Sequence, residues 1–106
     1  MTYDKVNYHD VDAVGDGLHF LRNPLDCDEF GLSVLECDPG WTGKPHDHAA
    51  DEQEEVYLLV EGSASVVVDG ERVPMTAGDA IRVDPHATRQ VRNGDAESLF
   101  VVVGAP

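Results

Sequence analysis

His46 and His48 stand one residue apart, and the carboxylate of Glu55 follows after the six residues Ala49 to Glu54. Along an extended chain, successive side chains point to opposite faces, so the two imidazoles flank Asp47 on one face, roughly 7 Å apart at Cα. Two imidazoles so placed can chelate one ion. The intervening loop has hairpin length and can bring Glu55 opposite the pair. Two imidazoles plus one carboxylate form a facial ligand set that suits divalent iron, manganese, nickel or zinc. Such a set leaves coordination positions open for substrate or water, as a catalytic site requires and a structural one does not. Glu54 would face away from Glu55 on the same strand, so only one of the adjacent acids can point inward.

These side chains need strands to hold them, and strands are what the sequence offers. From residue 55 onward short β-favouring runs alternate with turn signals: EVYLLVE, Gly62, SASVVV, Asp69-Gly70, ERVPM, Ala77-Gly78, DAIRV, Asp84-Pro85, TRQVR, Asn93-Gly94, ESLFVVV. Strands at this spacing indicate an all-β sandwich or barrel. Asp69-Gly70 and Asn93-Gly94 are tight-turn pairs of the type I′ kind, which needs positive φ at both central positions, and each predicts a hairpin. Upstream, GLHFLRN (17–23) and FGLSVLECD (30–38) carry strand character around a polar break, NPLDCDE. No segment holds a helical period over ten residues. The first sixteen residues are weakly patterned and read as a leading edge or loop.

With 106 residues the chain has material for one core, and residues 1–106 read as a single domain. It carries 21 acids against 7 bases, a formal net charge of −14 spread along its whole length. That field excludes nucleic acid and anionic membrane surfaces as partners. No apolar run approaches the ~20 residues that cross a bilayer, and the first residues lack a secretion signal, so a soluble, cytoplasmic protein is expected. Only Lys5 and Lys44 are lysines, and the acid excess fits a salt-rich, halophilic cytoplasm where the self-repulsion of the acids is screened. Cys27 and Cys37 are expected as free thiols.

Gly40, His46, His48, Glu55 and Gly62 resemble the first motif of the cupin superfamily: a glycine, HxH, a short loop, a glutamate and a second glycine. GDAIRVDPHATRQVRN, residues 78–93, is similar to the second cupin motif, with its glycine-aspartate turn, strand, proline turn and closing asparagine. The resemblance covers about half the chain and implies an antiparallel jelly-roll (cupin) β-barrel of the small, single-domain, conserved-barrel kind. It also implies a metal held by His46, His48 and Glu55, and a homodimer.

The sequence departs from the cupin pattern in two places. The loop before Glu55 is longer than the family's usual one, and Glu52 would satisfy the usual length, which leaves it as a reserve ligand. Where the family places a fourth, histidine ligand, this chain has Arg89, which has no lone pair to give a metal. His86, the nearest histidine, falls three positions early in the Asp84-Pro85 turn. Two roles are open to Arg89. It could bind the anionic group of a substrate held at a three-ligand metal, since its planar fork suits a carboxylate. It could instead pair with Glu55 as a fixed charge in place of the ion. Tyr57 shares the inward face of Glu55 and is a candidate to line the pocket and bind substrate. Trp41 could cap the pocket mouth or pack at a barrel end.

The leading expectation is a metal-binding cupin, possessing oxygenase or isomerase chemistry toward a small anionic organic molecule. The alternative is a non-enzymatic small-molecule binding or sensing module with a degenerate or empty metal site.

Overall fold

Two sheets form because β-favouring blocks alternate with residues that force the chain to turn. The computed structural model describes residues 2–106. Among these, eight strands are found: β1 (Leu18–Phe20), β2 (Gly31–Cys37), β3 (Glu54–Glu61), β4 (Ser63–Val68), β5 (Glu71–Thr76), β6 (Ala80–Val83), β7 (Arg89–Asn93) and β8 (Ser98–Ala105). They make a five-stranded sheet in the order β1-β2-β8-β3-β6 and a three-stranded sheet in the order β5-β4-β7. Every pairing is antiparallel, as expected for a jelly-roll barrel. The polar break after β1 holds a single helical turn, α1 (Arg22–Leu25), and a 3₁₀ turn spans Tyr8–Asp10.

The two sheets face each other across an apolar core. Leu35, Leu59 and Phe100 come from the larger sheet and Val66 from the smaller, and the last three have no exposed surface. Each such side chain contributes about 1.5–3 kcal/mol by leaving water. The ring of Tyr57 meets that of Phe100 edge-on, with centroids 6.5 Å apart. Both cysteines are free, and burial, then the charge of Asp38, pushes the Cys37 thiol up to about 12.

Asp69 and Gly70 have φ of 47° and 84°, and their turn joins β4 to β5 in a tight hairpin. The second expected hairpin does not form. β7 pairs with β4, whereas β8 pairs with β2 and β3, so the chain changes sheets after Asn93. The reason lies in the Asn93 side chain. Its Nδ2 donates to the carbonyls of Asp38 at 2.7 Å and Ala96 at 2.9 Å, and its Oδ1 accepts from Ser98 Oγ at 2.6 Å. Asparagine here pins a crossover between sheets.

The segment carrying His46 and His48 is also less regular than expected. Residues 41–48 run beside β7 with bridges only at Thr42–Arg92 and His46–Arg89. Pro45 has no N–H to donate and interrupts any continuous ladder. The backbone still exchanges bonds with β7 in both directions between His46 and Arg89, at 3.0 and 2.8 Å. These fix the segment as an added edge to the smaller sheet.

Candidate metal centre and ligand pocket

The inner face of the larger sheet is organised in rows. Glu55 lies beside Gly104, which lies beside Gly31, so two positions next to the carboxylate carry no side chain. The neighbouring row is Tyr57, Val102 and Ser33. The absent side chains leave space in front of Glu55, and a cavity of about 840 Å³ opens there. Val14, Leu18, Phe20, Leu35, Trp41 and Val102 form its apolar walls, while His46, His48, Glu55 and Tyr57 cluster on one side. That combination of apolar wall and convergent polar groups is how small-molecule sites are built.

His46, His48 and Glu55 each present one potential ligand atom, and these atoms lie within 4.8 Å of one another. Ligand atoms around one ion sit roughly 3–4 Å apart given bonds of about 2.0–2.2 Å, so rotations moving each atom by about 1 Å complete the set. Both imidazoles are already oriented. Nδ1 of His46 is 3.2 Å from the Lys44 carbonyl, and Nδ1 of His48 is 3.2 Å from an oxygen of Asp51. Carbonyl and carboxylate only accept, so Nδ1 carries the proton in each contact and a neutral ring leaves its Nε2 lone pair free. Nε2 of His48 then faces Oε1 of Glu55 at 3.3 Å. Both atoms present lone pairs at the spacing that two ligands of one ion adopt. On this observation the residues fit a metal.

Glu55 is held from behind. Arg89 projects inward from β7 and its Nη1 donates to Glu55 Oε1 at 2.9 Å, while the Tyr57 hydroxyl donates to the same oxygen at 2.9 Å. Arg89 has no exposed side-chain surface. Its remaining nitrogens donate to the carbonyls of Asp84 at 2.6 Å and Ala87 at 3.2 Å. The guanidinium therefore closes the back of the site and does not line the cavity. Burial first, then the Glu55 charge, holds the Tyr57 phenol above its ordinary range, with Arg89 pulling the other way. Tyr57 thus stays a neutral donor. Oε1, the oxygen that faces His48, therefore already accepts from two donors.

The reserve residues lie elsewhere. Glu52, at a positive φ of 52° in the loop, is largely exposed and stands 3.7 Å from Nε2 of His86, which is also exposed. Neither belongs to the cluster around Glu55. Sequence reasoning missed Asp51, which orients His48, and Asp16, whose Oδ2 accepts from Trp41 Nε1 at 2.7 Å. Asp51 had a local signal, a carboxylate three positions after a ligand-type histidine. Asp16 had none, because its partner is 25 residues away.

A jelly roll with this HxH and glutamate arrangement defines a class, and the comparisons agree. Residues 33–104 match the Cupin domain family, and the chain belongs to it. No curated protein matches the chain at the level of sequence. Among solved structures, it is similar to a cupin protein from Bacteroides fragilis at 25% identity, covering 95% of this chain and 86% of that one, with a TM-score of 0.75. It is similar in fold to the polyketide cyclase RemF from Streptomyces resistomycificus, at 23% identity, 95% and 78% coverage and a TM-score of 0.79. A predicted oxalate decarboxylase from Thermotoga maritima aligns at 18% identity, 95% and 97% coverage and a TM-score of 0.78.

Proposed function

We propose that this cupin binds a divalent transition metal through His46, His48 and Glu55, and that it acts on a small anionic organic molecule held in the adjoining cavity. The observation that carries this reading is the convergence of three ligand-type atoms, both imidazoles pre-oriented through Nδ1, at the side of an open apolar-walled cavity. Iron, manganese, nickel and zinc all suit the set. Once bound, such an ion supplies Lewis-acid polarisation, or electron transfer if it is redox-active, which covers isomerase and oxygenase chemistry. The chain's own contribution is orientation: Asp51 and the Lys44 carbonyl turn the imidazoles, Arg89 and Tyr57 fix Glu55, and the apolar walls keep water from the bound ligand.

Elemental analysis of protein prepared without added metal, paired with melting curves before and after chelation, tests this. Near-stoichiometric transition metal and a chelator-induced fall in Tm are expected, because an ion that binds only the folded form stabilises it by about 2.7 kcal/mol at a hundred times its Kd. No metal and no change in Tm would overturn it.

The Arg89–Glu55 pair favours a second reading. A dication about 5 Å from a guanidinium is repelled by roughly 7 kcal/mol at an effective dielectric of about 20. Of the two roles open to Arg89, pairing with Glu55 is the one its sealed geometry supports. If that repulsion wins, the protein is a non-enzymatic binding or sensing module with no resident ion. Arg89→His separates the readings, since a degraded metal site should then gain metal retention. We also place a homodimer contact on the outer face of the larger sheet. The acid excess we assign to a salt-rich cytoplasm, which requires Tm to rise from dilute buffer to molar salt.

A further inference from the structure

The cavity differs in charge from the rest of the molecule. Two of the 21 acids line it, Asp16 and Glu55, and both are already engaged by donors, Asp16 by Trp41 and Glu55 by Arg89 and Tyr57. Two of the seven bases also line it, Arg22 and Lys44. Arg22 is tied to the carbonyls of Cys27 and Asp28, whereas Lys44 makes no ion pair among the described residues. The two bases balance the two acids, so the lining is formally neutral inside a protein of −14. A lysine left unpaired beside a cavity, on a surface so rich in acids, is available to an anion.

The same wall carries a fixed aromatic plane. Trp41 is half-buried against the core, and its Nε1 is anchored on Asp16. The ring lies so close to Gly43 that a Cβ there would stand 2.9 Å from Trp41 Cη2, so glycine is what leaves the indole its place. Anchored through Nε1, the ring loses less freedom when something stacks on it.

We propose that the cavity selects a planar, apolar-bodied organic anion, such as an aromatic carboxylate or phenolate, that stacks on Trp41 and sets its negative group toward Lys44. This rests on the reading of the cavity as the ligand site, and it moves the anion contact from Arg89 to Lys44. The volume of about 840 Å³ holds a ligand well beyond the size of a simple dicarboxylate.

Titration calorimetry with three probes tests the inference: 2-naphthoate, its uncharged analogue 2-naphthamide, and the non-planar anion 1-adamantanecarboxylate. Each is titrated into protein as purified and into chelator-stripped protein. Trp41 is the sole tryptophan, so its emission reports binding at this wall. 2-Naphthoate is expected to bind about tenfold tighter than either control and to perturb Trp41 emission. Lys44→Gln should weaken 2-naphthoate roughly three- to fivefold and leave 2-naphthamide unchanged. Trp41→Leu should erase the preference for the planar anion over 1-adamantanecarboxylate. Asp16→Ala, which keeps the indole but frees it, should reduce that preference if the leucine variant fails to fold. Equal affinity for the three probes, binding that Lys44→Gln does not change, or no binding at all would overturn the inference. Failure of the metal reading is seen separately: 2-naphthoate binding that survives stripping, in a protein purified without metal, removes the ion and leaves the ligand class standing.

Discussion

Arg89 Nη1 lies 2.9 Å from Glu55 Oε1, and this pair ties the three-stranded sheet to the five-stranded one through a guanidinium with no exposed surface. Breaking a buried pair from one side leaves the other charge uncompensated. Arg89→Met is therefore expected to destabilise the fold by about 3–5 kcal/mol, lessened to the extent that Tyr57 still donates to Glu55. Adding Glu55→Gln should recover more than half of that loss. Urea unfolding of the two single variants and the double variant measures the coupling, and additive losses would contradict it.

The glycine that ends the first motif gives a second expectation. Gly62 sits at φ 91° between β3 and β4, where a Cβ would stand 2.6 Å from the Glu97 carbonyl oxygen and 2.9 Å from Ser98 Cα. Gly70 is also at positive φ, but a Cβ there meets nothing within 4 Å. Gly70→Ala should therefore lose about 1 kcal/mol from backbone strain alone, and Gly62→Ala roughly 2–4 kcal/mol, because overpacking adds to strain. Equal losses in denaturant titrations would show that the close approach is not rigid.

Much of this architecture was legible because it is written locally. Short β-favouring runs set between turn signals marked β3, β4 and β8, and the Asp69-Gly70 pair marked its hairpin through backbone chemistry that needs no partner. Asn93-Gly94 has the same local signature and a different outcome, since carbonyls of Asp38 and Ala96 compete for the asparagine side chain. A local rule cannot see a carbonyl 55 residues away. The site divides in the same way. His46, His48 and Glu55 come together as their spacing implied, whereas the burial of Arg89 depends on two sheets closing over it. The Asp16 anchor on Trp41 depends on where the leading segment lies.

That leading segment predicts a pH effect. His19 on β1 is buried, with Nδ1 2.7 Å from the Val11 carbonyl and Nε2 2.8 Å from Glu36 Oε1. Neither partner can donate, so both ring nitrogens must, and the ring is an imidazolium. Tyr8 packs edge-on against it and also reaches Glu36, and His9 stacks on Tyr8. The Val11 contact first, and then Glu36 against the opposing effect of burial, raise the His19 pKa above 6.5. The folded state then holds a proton that the unfolded state releases, so this stability is complete below pH 6.5 and is lost as pH rises through the raised value. His19→Gln should flatten that part of the Tm-against-pH curve. An NMR titration placing the His19 ring below 6.5 would contradict the assignment.

The outer face of the larger sheet supports the last prediction. Val56, Leu58 and Val60 on β3 and Val103 on β8 are each 36–42% exposed, and Val56 pairs with Val103 across the strands. Scattered surface apolar residues need no explanation, but a contiguous patch on a sheet face points to a partner. In the proposed homodimer these residues form the centre of the contact, where a charge is least tolerated. Leu58→Lys should convert the dimer to monomer in sedimentation velocity at micromolar concentration, with the monomer's far-ultraviolet dichroism intact. A wild type that sediments as a monomer across that range would remove the interface, and Leu58→Lys would then change stability by no more than about 0.5 kcal/mol, as a surface substitution does.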